Sequence, residues 1–278
     1  MFKLPDEVKA DVRTYRDSLQ RLIAGDISAA RFKGVRVPWG VYSQRKNKGN
    51  MTRVRFPAGV ASGKQLKGIA EAAKRFSNGM LHVTDRQDIQ IHNVPLEDTG
   101  DLIEFLLEYE LSPRGGGGNT VRNITACPRA GICKEEAFDV RGHAIQLTEL
   151  MLPEPESYTL PRKYKISFSG CGRDCAHATV NDVGFIAKTK AGKKGFTVYV
   201  GGGLGSSSRV GRLFEEFLPE SDVPYIAEAV KRVFHDHGNR KDKHHARLRF
   251  FIEDKGLSEF KRLYIAELDK LRREGSLP

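Results

Sequence analysis

The spacing of apolar and polar positions divides the N-terminal part of the chain into short alternating elements. Apolar residues recur at helical spacing across residues 6–24, which predicts an amphipathic helix. Residues 26–50 combine Gly, Pro, Lys and Arg with little periodicity and are expected to form an arm or loop. From Met51 onward, a β-α-β-α order predicts half of a ferredoxin-like sandwich. Its four segments are MTRVRFP, GKQLKGIAEAAKRF, MLHVTDRQDIQIHNV and LEDTGDLIEFLLEYE.

Four successive glycines, Gly115 to Gly118, interrupt this pattern and mark either a boundary or a backbone that must approach something closely. Beyond them we expect a helix near Lys134 to Asp139, then the strands KYKISFS, NDVGFIAKTK and KGFTVYV. Helices are expected at 222–237 and 257–274, so the fold class is α+β. The expected division is an N-terminal helix and arm (1–44), a ferredoxin-like half-domain (45–114), a second α+β domain (115–256) and a C-terminal helix (257–278).

Composition narrows the class of protein. The 278 residues are 39% hydrophobic and 29% charged, which is ordinary for a globular protein. No apolar run approaches the roughly 20 residues that cross a bilayer, and the first residues lack the apolar core of a secretory signal. We therefore expect a cytoplasmic protein with no membrane contact. The net charge of +11 leaves three kinds of partner to consider: nucleic acid, an anionic small molecule or an acidic protein.

The four cysteines fall in two close pairs, Cys127 with Cys133 and Cys171 with Cys175. Their spacing is C-x5-C, a gap of 37 residues, then C-x3-C. Four thiolates can hold a [4Fe–4S] cluster or a tetrahedral zinc ion, although x5 with x3 fits the usual zinc spacing poorly. Disulfides suit small secreted domains, and this chain has neither character. The spacing favours a cluster and leaves zinc as the alternative.

Basic residues are dense near both cysteine pairs and in the first α+β segment. A site for a small, highly charged anion needs such residues, whereas a protein that only carries electrons does not. For Lys163 and Lys165 the alternative is that both side chains extend into water from one strand face. That alternative loses weight because the same face would continue into the cysteine turn. The basic residues concerned are Arg53, Arg55, Arg86, Arg122, Arg162, Lys163 and Lys165.

Several stretches together resemble the siroheme-containing sulfite and nitrite reductases. The resemblance covers roughly residues 35–265, and the cysteine arrangement is the cluster signature of that family. It implies a ferredoxin-like half-domain followed by a siroheme and [4Fe–4S] domain of α+β class. The stretches are MTRVRFPAGV, TDRQDIQIHNV, GGNTVRNITACP, LPRKYKISFSGCGRDC, NDVGFIA, FTVYVGGGLG and HGNRKDKHHARLRF.

The resemblance also implies a mechanism. Siroheme, a carboxylate-rich iron tetrapyrrole, lies against the cluster, and one thiolate, Cys175 here, bridges the two. The six-electron reduction of sulfite to sulfide, or of nitrite to ammonia, takes place at this centre. The metal ligands are Cys127, Cys133, Cys171 and Cys175. The cations that face the substrate correspond to Arg53, Arg122, Lys163 and Lys165. The siroheme contacts correspond to Arg86, Gln90, His92, Asn119, Thr120, Arg162, Asn181 and Arg240.

The chain departs from that family in carrying one repeat, whereas the usual assimilatory enzyme has two with the pocket between them. It resembles the first repeat in its LPRKYK and GNR stretches, yet it has all four cysteines. We therefore expect pairing, as a homodimer or with a homologous second subunit. No flavin or nicotinamide motif is evident, so electrons are expected from an acidic ferredoxin or flavodoxin.

Three other interpretations of the function remain open. A siroheme and cluster protein that transfers electrons or senses an anion without turnover would not need the four cations. A tetrapyrrole-modifying enzyme is possible within the same fold. A basic nucleic-acid-binding protein would need a recognisable reading module, which is absent, so no nucleic-acid partner is expected. His244 and His245 are expected in a solvated turn, not as a ligand pair.

Overall fold

The computed structural model describes residues 2–45, 49–205, 207–275 and 277. Residues 46–48 of the expected arm, Ser206 of the second glycine-rich stretch, and Met1, Ser276 and Pro278 at the two ends lie outside this description. The chain divides into two units. Unit 1 contains Met1–Asn123 and Leu152–Tyr158, and unit 2 contains Ile124–Met151 and Thr159–Pro278.

The described residues of unit 1 form an antiparallel sheet with the strand order β1-β2-β4-β3. In β2 the buried residues Asn50, Thr52 and Val54 alternate with half-buried Met51 and Arg53, as a strand with one covered face requires. Its other face stays open for polar groups. The strands are β1 (Val41–Ser43), β2 (Asn50–Val54), β3 (Leu81–Val83) and β4 (Ile89–Val94).

The helices of unit 1 cover the apolar face of this sheet. Helix α3 begins with a capping box between Ser62 and Gln65, and its buried Ile69 packs in one core with Val54 and Ile91. The predicted β-α-β-α order of the ferredoxin-like half-domain is confirmed, with the third segment forming two strands. The helices are α1 (Asp6–Ile23), α2 (Ala29–Arg36), α3 (Gly63–Phe76) and α4 (Thr99–Leu107).

The prediction of an irregular arm was wrong for residues 29–43, which form α2 and β1. Ser28 caps α2 by accepting the Arg31 N–H at 3.3 Å. Phe32 and Trp39 are buried, and each ring centroid lies 5.7 Å from that of Tyr15. These aromatic contacts with α1 stabilise residues 29–43. The basic residues of the segment interrupt its apolar pattern, so the sequence shows no clear helical or strand period there.

Unit 2 is built on a mixed sheet whose described strands follow the order β5-β6-β7-β8-β9. The first three strands run parallel, and the β7–β8 and β8–β9 pairs are antiparallel. Phe168, Phe185 and Phe196 are fully buried; the first two rings stack across neighbouring strands, and Phe196 meets both edge to face. The strands are β5 (Thr125–Ala126), β6 (Ile166–Ser169), β7 (Val183–Lys190), β8 (Lys193–Val200) and β9 (Arg212–Pro219). The helices are α5 (Arg141–Met151), α6 (Val223–His237), α7 (Leu248–Lys255) and α8 (Leu257–Glu274).

The helix expected near Lys134 to Asp139 was wrong. That segment forms turns, and α5 begins at Arg141, whose N–H donates to the Asp139 carboxylate at 3.0 Å. The helices expected at 222–237 and 257–274 are confirmed as α6 and α8, but β9 and α7 were not predicted. The domain boundaries expected from the sequence stay a prediction. In the structure, unit 1 first gives way to unit 2 between Asn123 and Ile124. No helix in the described part of the chain is long and apolar enough to cross a membrane.

Candidate functional site

Two of the four cysteines follow neighbouring parallel strands. Cys127 comes directly after β5, and Cys171 comes two residues after β6. Ala126 pairs with Phe168 in the β5–β6 register, so both chains leave the sheet at the same edge. The gap of 37 residues in the sequence is therefore closed in space by strand pairing.

The first cysteine loop is held by its own backbone. Cys127 is 5% exposed, and backbone N–H groups of Arg129 and Gly170 donate to its sulfur. Burial raises the pKa of the Cys127 thiol, and the nearby Cys171 and Cys175 act in the same direction. The Cys133 N–H donates to the Arg129 carbonyl at 3.0 Å and closes the turn. Cys171 and Cys175 therefore lie close enough to Cys127 to influence the charge on its sulfur.

The second cysteine loop is organised by Asp174, which lies between Cys171 and Cys175 in the left-handed region at φ 52°. Its Oδ1 accepts from the Ser169 hydroxyl and from the Ala178 N–H, both at 2.6 Å. Its Oδ2 accepts from the Thr179 hydroxyl at 2.7 Å and from the Thr179 N–H at 3.0 Å. One carboxylate therefore joins the end of β6 to the segment that follows the loop.

The two cysteine loops are tied to each other. The Ala137 N–H donates to the Gly170 carbonyl at 2.8 Å, and Arg173 of the second loop pairs with Glu135, which follows Cys133. None of the four thiols is in a disulfide, and Cys175 is exposed. In the described residues, no group of three or more His, Cys, Asp or Glu could hold a single metal ion. Four free thiols on tied loops fit a cluster with four thiolate ligands.

Lys163 and Lys165 precede β6, the strand that leads into the second cysteine loop. Both are half-buried and flank the fully buried Tyr164. By alternation they share a face with Ser167, whose hydroxyl donates to the Ala176 carbonyl at 2.7 Å, immediately after Cys175. Neither lysine extends wholly into water, and the role of both toward an anion stays a prediction.

Arg53 and Arg122, the other two predicted substrate cations, converge on one backbone carbonyl of unit 1. Each donates to the oxygen of Gly116, from Nη1 of Arg53 at 3.1 Å and Nη2 of Arg122 at 2.8 Å. A Cβ on Gly116 would lie 2.5 Å from the Arg53 carbonyl oxygen, and one on Gly117 would lie 2.3 Å from that of Val37. The expected close approach of the glycine run is confirmed, and it positions two guanidinium groups.

A buried carboxylate accompanies these arginines. Asp88 is 5% exposed, and its Oδ1 has no hydrogen-bond partner among the described residues. Burial raises the pKa of Asp88, while the charges of Arg55, Arg86, Arg53 and Arg122 oppose that rise. Asp88 is therefore a buried carboxyl group among four arginines, whose charges favour its ionised form.

Gln90 and His92 continue the polar face of the unit 1 sheet. Gln90 lies opposite Arg53 in the β2–β4 pairing, and its amide oxygen accepts from Arg53 Nη2 and Nε at 2.9 and 3.2 Å. Its amino group donates to His92 Nε2 at 3.1 Å, and Gln44 contacts His92 Nδ1 at 3.2 Å. Burial lowers the pKa of His92, which favours a neutral ring. Arg53, Gln90 and His92 thus form one connected row.

The other predicted siroheme contacts of unit 1 differ in exposure. Arg86 donates to the Asn123 carbonyl at 2.7 Å. Asn119 is exposed, whereas Thr120 is fully buried with its hydroxyl 2.8 Å from the Gly117 carbonyl oxygen. The contacts of Thr120 serve the glycine turn, and its role toward a cofactor stays a prediction.

The predicted siroheme contacts of unit 2 differ in burial and in their backbone partners. Asn181 is buried and donates to a backbone carbonyl at 2.6 Å. Arg240 is exposed and donates to two backbone carbonyls, both at 2.8 Å. Arg162 is half-buried. His244 and His245 are exposed in a turn, as expected.

Sequence reasoning missed Asp174, Glu135 and Asp88. Asp174 holds the cysteine loop, Glu135 ties the two loops, and Asp88 accompanies the arginines. The sequence did contain a signal for Asp174, because it stands between Cys171 and Cys175. A carboxylate beside thiolate ligands adds unfavourable negative charge, so its presence there indicates a structural role.

Two family models match the chain. The nitrite/sulfite reductase ferredoxin-like half domain matches residues 42–109. The nitrite and sulphite reductase 4Fe-4S domain matches residues 117–271, which is more than half of the chain and includes all four cysteines.

Named relatives are similar over most of this chain. The assimilatory ferredoxin-dependent nitrite reductase of Haloferax mediterranei is 35% identical, with 80% of this chain and 41% of that protein covered. The ferredoxin sulfite reductase of Mycobacterium tuberculosis is 29% identical, with 84% and 45% covered. The chain therefore spans about half the length of the curated relatives it matches.

The fold is similar to that of solved structures. The Mycobacterium tuberculosis NirA protein superposes with a TM-score of 0.79 at 27% identity, covering 88% of this chain and 48% of that one. A dissimilatory sulfite reductase shares the fold with a TM-score of 0.66 at 14% identity, covering 77% and 68%.

Proposed function

The chain belongs to the nitrite and sulphite reductase family, and we propose that it reduces sulfite to sulfide by six electrons at a siroheme coupled to a [4Fe–4S] cluster. The observation that carries this proposal is the pair of tied cysteine loops at one edge of the β5–β6 sheet. Four free thiols there match the donor set of such a cluster.

The family implies both cofactors, siroheme and the cluster. Cys127, Cys133, Cys171 and Cys175 would hold the cluster, and the exposed Cys175 would be the thiol nearest to the siroheme. When bound, the pair supplies electrons to the substrate in small steps. The backbone N–H groups on the Cys127 sulfur stabilise a thiolate at that position.

The chain's own cations have separate tasks in this proposal. Arg53 and Arg122 hold a fixed positive charge, because guanidinium groups do not lose their protons and both are anchored on Gly116. Lys163 and Lys165 supply ammonium groups, which can bind a small anion and donate protons to its oxygens. Arg86, Gln90, His92, Asn119, Thr120, Arg162, Asn181 and Arg240 are proposed as contacts to the siroheme carboxylates and backbone.

Nitrite is the second candidate substrate, and the Haloferax relative named as a nitrite reductase favours it. The assay supplies electrons from a chemically reduced viologen dye and measures sulfide from sulfite and ammonia from nitrite. A clearly higher kcat/KM for sulfite supports the proposal, and a higher value for nitrite replaces the substrate. A protein with both cofactors and neither activity would be a non-catalytic electron carrier or sensor.

We also propose that the active site needs a second subunit, either another copy or a homologue. Each family model matches once, and the matched N-terminal model is a half domain. Edge strand β3 of the unit 1 sheet exposes Leu81 and Val83, 38% and 71% exposed, which suits a partner surface.

Mixed dimers test this pairing. Cys175→Ser and Lys165→Gln variants should each be inactive alone. If the site combines cysteines of one copy with cations of the other, equal co-expression restores about a quarter of the wild-type activity, because about half of the dimers are mixed and one of the two sites in each mixed dimer is intact. A mixture as inactive as its parents contradicts a shared site.

The proposed electron donor is an acidic ferredoxin or flavodoxin in the cytoplasm. The net charge of +11 favours such a partner by long-range attraction, which salt weakens. Ferredoxin-dependent turnover should therefore fall as salt rises, whereas dye-dependent turnover should change little. Equal salt dependence of both reactions would exclude this donor surface.

A further inference from the structure

A cavity of about 310 Å³ lies in unit 2, apart from the cysteine loops. It opens between the end of β8, the start of β9 and helix α7. Its wall has an apolar part and a charged part. Its lining includes Val200, Arg209, Arg212, Arg249, Ile252 and Glu253.

The charged part of the wall is predominantly positive. Arg209, Arg212 and Arg249 contribute three guanidinium groups, whereas Glu253 contributes one carboxylate. Arg209 Nε lies 2.6 Å from Glu253 Oε1, so this carboxylate is already paired. Arg212 is exposed at the start of β9. The lining therefore has an excess of two positive charges.

Arg249 is the unusual member of this group. It is 6% exposed, and among the described residues its Nε has no hydrogen-bond partner. Its Nη1 reaches the Leu204 carbonyl only at 3.5 Å. Burial lowers the pKa of Arg249, and the adjacent Arg247 adds to that effect. A buried guanidinium with an unused donor is costly unless an acceptor is supplied.

The second glycine-rich stretch shapes this cavity. A Cβ on Gly203 would lie 2.4 Å from Arg249 Nη1, and one on Gly201 would lie 3.0 Å from Ile252 Cδ1. Only glycine leaves room for the guanidinium at position 203 without displacing it. The GGG motif thus brings the backbone against an arginine, a role that the proposed reaction does not use.

The wall is linked to the second cysteine loop by two hydrogen bonds. The Gly211 N–H, in the segment before β9, donates to the Thr179 carbonyl at 2.7 Å. The Thr179 hydroxyl in turn donates to Asp174 at 2.7 Å. A ligand that orders the wall would therefore also restrain the segment behind that loop.

We propose that this cavity is a binding site for a small free oxyanion of the phosphate type. Three guanidinium groups provide the planar donor forks that oxyanions accept, and the buried Arg249 lacks such an acceptor. Val200 and Ile252 contribute apolar surface to the lining of the cavity. The site is independent of the proposed reductase reaction, since it contains no cysteine and none of the four substrate cations.

The test is isothermal titration calorimetry of inorganic phosphate into the purified full chain at low ionic strength. We expect saturable binding that Arg212→Gln weakens by about ten-fold or more, because one charged hydrogen-bond donor is lost. Glu253→Gln should tighten binding several-fold by removing the opposing charge. Arg212 is exposed, so its replacement is not expected to prevent folding.

Arg262→Gln is the matched control, because Arg262 pairs with Glu259 at 2.7 Å on the exposed surface of α8, outside the cavity. It should leave phosphate binding unchanged. Amide hydrogen exchange supplies a second measurement. Phosphate should slow the exchange of the two segments around Thr179 and Gly211, which a hydrogen bond joins. Absence of saturable binding, or equal effects of Arg212→Gln and Arg262→Gln, would overturn the proposal.

Discussion

The arginine group of unit 1 and the cysteine loops of unit 2 are built by opposite means. The arginines project from a paired sheet and a glycine turn, and their donors already reach backbone carbonyls such as that of Gly116. The thiols lie beyond the ends of short strands, and Cys175 is exposed. In unit 1 backbone carbonyls of a packed turn hold the arginine side chains. In unit 2 one side chain, the carboxylate of Asp174, organises the second cysteine loop.

This difference indicates how each region should respond to change. Losing an anchor of the arginines should affect folding first, because those contacts are part of a packed unit. Losing the anchor of the cysteine loop should affect cofactor binding first, because Asp174 makes four of the hydrogen bonds that shape the backbone between and beyond Cys171 and Cys175. The following variants test the contrast.

The largest effect is expected for Asp174→Ala. It removes four hydrogen bonds that position Cys171 and Cys175, so the purified chain should contain almost no cluster iron. Iron and acid-labile sulfide per chain measure this directly. Asp242→Ala is the control, because Asp242 also caps an exposed loop of unit 2 by accepting the His244 N–H at 2.8 Å. Equal iron contents in the two variants would contradict the assigned role of Asp174.

A smaller effect, on stability, is expected for Gly117→Ala. The new Cβ would lie 2.3 Å from the Val37 carbonyl oxygen and 2.4 Å from Tyr42 Oη. We expect a loss of about 3 kcal/mol in the free energy of unfolding, as for other overpacked sites. Gly63→Ala, at the first position of α3 with nothing within 4 Å, should instead gain about 0.5 kcal/mol. Urea unfolding compares both, and similar midpoints would exclude the crowding argument.

The smallest effect is expected from Asp88, through pH. Since burial raises the pKa of Asp88 in the folded chain, the group favours folding most below its ordinary value of 3.8. That contribution is lost as pH rises through the folded pKa. Asp88→Asn cannot titrate, so its stability should vary less with pH across this window. Urea midpoints measured from pH 3.5 to neutral check this, and parallel curves for the two proteins would refute it.

The sequence was sufficient for elements with clear local signals. Segments such as α3 and α8 combine a strong apolar period with defined ends, and both lie where expected. The second cysteine pair was placed correctly after a strand, because it follows the β-like run KYKISFS, whereas the two-residue strand β5 before Cys127 was not predicted. Helix α2 and strand β1 escaped prediction because Phe32 and Trp39 stand among basic residues and are buried only by contact with α1.

The contacts that complete the site were beyond local patterns. Asp174 acts because the chain folds back past Cys175 toward Ser169, and Glu135 acts because it meets Arg173 from a distant segment. Likewise, strand β9 has glutamates at Glu215 and Glu216, which obscure its alternation although it pairs with β8. Such features depend on tertiary pairing, which one sequence does not encode in its neighbouring residues.

The central claim is that the four thiols hold a cluster coupled to a tetrapyrrole that binds sulfite or nitrite. The most direct measurement is the visible absorption spectrum of the purified chain, recorded with and without each anion. We expect bands of a reduced tetrapyrrole together with cluster absorption, and a shift of the tetrapyrrole bands on addition of one anion. A colourless protein that contains zinc would contradict the claim and leave the fold without this chemistry.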